Sequence, residues 1–131
     1  MSDSKDYNHW IKYAANDIAV ANDLPLQKEY VLHAVVTHCQ QSVEKYLKAF
    51  LLFNNSKIIY THDLLILCKL CEKIDEDFAR FKPDLNSLSV DYRESRYPGD
   101  FEDVTLENAK DALEIATKFE KFILPKFVLK K

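Results

Sequence analysis

From Trp10 onwards the apolar positions return every three or four residues. Trp10, Ile11, Ala14, Ile18 and Ala21 share one side of a helix, with Lys12, Asn16, Asp17 and Asn22 on the other. The pattern predicts a first helix from about Tyr7 to Leu24, ended by "DLP" because Pro25 pushes the residue before it out of the α region. A longer second helix is expected from about Lys28 to Phe53. Leu32, Val35, Val36, Cys39, Val43, Tyr46, Leu47 and Phe50 form its broad apolar face, opposite His33, Thr37, Gln41, Glu44, Lys45 and Lys48. Its last turns, "AFLLF", are apolar nearly all round, so they need cover from other helices or another subunit. "NNS" stops it.

The stretch "YTHDLLILCKLCEKI" opens a third helix, with Thr61 or His62 at its start and Asp63 in the first turn, where the helix dipole favours a carboxylate. Leu64, Leu67, Cys68, Cys71 and Ile74 make its core stripe. A shorter fourth helix is expected over roughly Asn86–Ser95, after "FKPD". A last one begins near Thr105 and reaches Phe127, with Ala109, Ala112, Leu113, Ala116, Phe119 and Ile123 inward. No segment alternates with period two, and no repeat or linker interrupts the chain. The reading is all-α, one helical bundle spanning residues 1–131.

Composition sharpens this picture. A single glycine and four prolines leave few places to turn, which favours long helices over hairpins. The net charge of -3 gives no global basic field, so any nucleic-acid contact must be local. No run is apolar enough to span a membrane, and "MSDSKDYNHW" has no signal-peptide core. Three cysteines without a secretion signal read as reduced thiols, which points to the cytoplasm.

Few residue groups offer chemistry. Cys68 and Cys71 have dithiol spacing, but no second cysteine pair completes a zinc site and both lie on an apolar stripe, so they read as core. His33 and His38 are spaced wrongly for two ligands on one helical face. His62 is placed to bond a backbone group or a carboxylate and hold its turn. Lys45 and Lys48 sit with Gln41 and Glu44; the pair Glu44–Lys48 reads first as surface i, i+4 pairing and second as a phosphate contact. In "DYRESRYPGD", Asp91 to Asp100, Arg93 and Arg96 project to one side of a last helical turn. Their planar forks match phosphate oxygens, and Tyr92 and Tyr97 can stack on a base. The bland reading gives Arg93 to Glu94 or Asp91 and Tyr97 to the core. Pro98 and the lone Gly99 make the corner that follows.

Four stretches in order, "WIKYAANDIAVA" (Trp10 to Ala21), "HCQQSVEKYLKAFLL" (His38 to Leu52), "THDL" (Thr61 to Leu64) and "YRESRYPG" (Tyr92 to Gly99), resemble the HEPN family over nearly the whole chain. The resemblance implies an up-and-down bundle of four to five helices, usually a homodimer. It implies work on nucleotides or RNA, often beside a minimal nucleotidyltransferase in a toxin–antitoxin pair. Many members cut RNA without metal through an arginine followed, after four to six residues, by a histidine. This chain departs from that signature: its arginines are Arg80, Arg93 and Arg96 and its last histidine is His62, so no arginine precedes a histidine. The expectation is therefore a non-catalytic, cofactor-free module that binds a nucleotide or RNA through Arg93, Arg96, Tyr97, Lys48 and His62, with no metal site. Two alternatives stay open. One is a ribonuclease with a rearranged set such as Arg96 and His62; the other is a bundle that only binds proteins.

Overall fold

A computed structural model describes residues 4–96 and 103–128, with side chains for all of these except 94–96. Five α-helices follow in order: α1 (Tyr7–Asp23), α2 (Leu32–Phe53), α3 (Leu64–Glu72), α4 (Lys82–Arg96) and α5 (Leu106–Ile123). Short 3-10 turns at Glu29–Val31, Glu76–Phe81 and Leu124–Lys126 precede α2, precede α4 and follow α5. Among the described residues there is no strand. The architecture is the all-α, up-and-down bundle expected, with α2 at its centre packed against α1, α3, α4 and α5.

Local chemistry sets the boundaries. The Asp6 carboxylate caps α1 by accepting from the Asn8 amide at 2.9 Å, and Leu24, before Pro25, is extended. α2 ends without glycine: Asn55 takes φ 66°, and the Ser56 amide donates back to the Leu51 carbonyl at 2.9 Å. Asparagine tolerates this left-handed conformation better than most residues, which is how "NNS" stops a helix. Asp63 turns out to be the cap of α3 rather than part of its first turn, accepting from the Leu65 and Ile66 amides. α4 starts four residues earlier than expected. Pro83 stands inside its first turn, where proline is tolerated because its missing N–H has no partner to lose. α5 opens on a capping box between Thr105 and Asn108, and its α-helical part stops at Ile123, just before Pro125.

The core runs the length of α2, from Val35 and Val36 through Val43 and Leu47, all fully buried. Cys68 and Cys71 lie in it as the apolar stripe requires, while Ile74, expected there too, falls beyond the end of α3 and is 44% exposed. The "AFLLF" end finds its cover within the chain. Phe50 packs at a tilt against Phe78 (centroids 4.7 Å), and Phe53 meets Tyr7 at 4.9 Å and Phe127 at 5.5 Å. No described helix is long and apolar enough to cross a membrane.

Candidate functional site

α2 was expected to have a wet side, and the structure corrects this. Glu44 and Lys48 are buried, 7% and 6% exposed: His62, in the segment joining α2 to α3, meets Glu44, and the Trp10 ring of α1 lies against Lys48. Their ion pair, Lys48 Nζ to Glu44 Oε2 at 3.2 Å, therefore forms away from water and not on a solvated face. His62 Nδ1 lies 3.0 Å from the same Glu44 oxygen. A carboxylate only accepts, so Nδ1 carries the proton and donates, leaving Nε2 on a side chain that is 85% exposed. The histidine thus clamps its turn, using a carboxylate on α2 instead of neighbouring Asp63. Gln40, 2% exposed, completes the link by donating to the His62 carbonyl at 3.2 Å and to Glu44 Oε1 at 3.4 Å.

These groups floor a cleft of about 380 Å³. Trp10 of α1 forms one wall, with Lys48 Nζ 5.5 Å from its ring centroid. Tyr92 of α4 contributes another, and Gln41 and Lys45 of α2 complete the lining. Lys45 is held from behind by Asp17, which the apolar pattern had placed on the wet side of α1. Asp17 is in fact 8% exposed and also bonds His38 Nδ1 at 3.0 Å. The cleft floor is accordingly compensated in charge: Lys48 answers Glu44 and Lys45 answers Asp17. Arg93, which follows Tyr92 in α4, is exposed, and position 96 lies one helical turn beyond Tyr92 on the same face of that helix.

Each of the four sequence stretches noted above supplies at least one lining residue, from Trp10 to Tyr92. A family model described as the HEPN domain matches residues 7–126. The chain belongs to the HEPN family. No curated protein and no solved structure matches it.

Among the residues expected to bind ligand, this HEPN domain brings Lys48 and His62 into the cleft, whereas exposed Arg93 follows the lining residue Tyr92 in the sequence without itself lining the cleft. The Arg96 side chain, Tyr97 and the Pro98–Gly99 corner lie outside the described residues. Trp10, Gln40 and Gln41 were not singled out as site residues. Trp10 reads as core and Gln41 as helix surface, and Gln40 carries no separate signal, although all three stand inside the quoted stretches. Among the described residues no group of three His, Cys, Asp or Glu side chains gathers to hold a metal ion.

Burial shifts the three cysteine thiols and one tyrosine. It pushes the Cys39 thiol up to about 12 and raises Cys68 and Cys71 as well, so these thiols stay protonated and inert as nucleophiles. Tyr46 is raised by burial and by the Glu120 carboxylate, to which its hydroxyl donates at 2.6 Å.

Proposed function

We propose that this HEPN domain is a non-catalytic module that binds a nucleotide or RNA phosphate in the cleft between α1, α2 and α4. One observation carries the reading: the four stretches that mark the family converge on a single hollow, although they are far apart in sequence. Trp10 and Tyr92 offer faces for a base. Arg93 and Arg96 supply phosphate donors at the rim, and Tyr97 follows them in the sequence. Lys48 and His62 set the field at the floor, and Gln41 offers an amide for hydrogen bonding. With no arginine preceding a histidine, the proton-moving group of the family's ribonuclease signature is missing.

Homodimerisation and association with a nucleotidyltransferase belong to the same proposal. They rest on the family's habits and on the apolar "AFLLF" end and "FEKFILPKFVL" tail, where Phe50 and Phe53 are covered within the chain while Leu124 and Val128 stay exposed. Calorimetric titration of nucleotides and short RNAs tests the reading. Arg93→Ala and Arg96→Ala should each weaken binding roughly ten- to a hundredfold, as losing a charge-assisted phosphate bond worth about 1.5–3 kcal/mol would. The same preparation should leave RNA uncut in EDTA. Equal affinity in wild type and both variants would return the arginines to ordinary surface roles.

A further inference from the structure

Beside the cleft lies a second hollow, of about 520 Å³, walled by Leu52 and Ile58 and rimmed by Lys5, Lys57 and Tyr60. Among the described residues no acidic side chain lines it. Among the described residues neither lysine has an ion-pair partner. In a chain of net charge -3, two uncompensated cations around one hollow are a local exception. Tyr60 stands at the apex of a three-residue turn closed by the Thr61 amide on the Ile59 carbonyl at 3.1 Å, and it is 75% exposed. A tyrosine so placed adds nothing to the core. It presents a flat apolar face to whatever approaches.

The two hollows adjoin along two paths. Tyr60 rims one and His62 lines the other, and two residues of chain span at most about 7 Å. On the other side, Lys5 follows Ser4, whose carbonyl accepts from the Trp10 indole nitrogen at 2.8 Å inside the cleft wall. We infer that the hollows form one track for a single-stranded nucleic acid, the cleft holding one nucleotide and Tyr60, Lys57 and Lys5 holding the next. The inference rests on the nucleotide-binding reading above and extends it, because a free mononucleotide would use the cleft alone. Aromatic faces alternating with cations along a path are what a single strand needs: bases stack without sequence preference and lysines follow the phosphates.

The test compares uridine monophosphate with a labelled oligo(U) of roughly six residues, a length within the range of single-strand sites. Fluorescence anisotropy follows the oligomer and calorimetry the mononucleotide. Tyr60→Ala should weaken the oligomer about tenfold, the loss of one stacked base, and leave the mononucleotide unchanged. Lys57→Ala should lower the slope of log affinity against log salt by about 0.7, the value for one phosphate contact on a single strand. A merely structural lysine would not move that slope. If wild type binds both ligands and Tyr60→Ala and Lys57→Ala bind the oligomer as wild type does, the track is overturned while the cleft reading stands. If wild type binds neither ligand, the cleft reading fails and the track with it. Displacement of the oligomer by oligo-glutamate, with the same sensitivity to Tyr60→Ala, would make the surface a site for acidic peptide and also overturn the track.

Discussion

Single residues show where a polar pattern misleads. Glu44 and Lys48 carry the spacing of a surface pair, yet they are buried together with Gln40 and receive His62 from outside. Removing one partner strands the other. Lys48→Met should therefore cost about 3–5 kcal/mol in urea denaturation, and adding Glu44→Leu should recover most of the loss. A variant of Lys48 is for that reason a poor probe of ligand binding, and exposed Arg93 a better one. A second residue-scale expectation concerns pH. Cys39, Cys71 and Tyr46 all have values raised by burial in the folded protein. A raised group contributes its stability in full below its unfolded value and loses it as pH climbs toward the folded one. For Cys39 that window runs from 9.0 to about 12. The urea midpoint should hold steady up to about pH 8.5 and fall steadily above pH 9; a flat alkaline profile would contradict it.

At the scale of elements, the caps decide how the cleft is built. α3 is only 9 residues long, too short to hold itself in water, and depends on its cap and its packed face. Asp63 makes that cap with two amides, and the residue before it is the histidine that reaches Glu44. Asp63→Ala should lower stability by about 1 kcal/mol, read as a drop in Tm of several degrees. A silent substitution would mean that the His62 clamp alone holds the turn. The helices themselves were legible from apolar spacing and breakers. The start of α4 was not, because the same proline that ends a helix when it follows one can stand in the first turn of the next.

For the whole molecule, the open question is how many copies work together. The family habit implies two, and sedimentation at tens of micromolar should show a dimer, a concentration at which a standard interface of roughly 1,600 Å² holds. A monomer there would leave the cleft to act within one chain. The sequence by itself determined the all-α class, the helices, the core stripe with its thiols, and the family, because helical period, caps and breakers are local properties read over a few turns. It also pointed to Lys48 and His62 without showing what joins them. Only the tertiary structure decided that the segment before α3 meets α2 at Glu44, that Glu44 and Lys48 are buried, and that Asp17 turns inward to Lys45 and His38. It alone brought Trp10, His62 and Tyr92 around one cleft. The reason is physical: a helix pattern says which residues share a side, but burial depends on what other part of the chain comes to rest against that side.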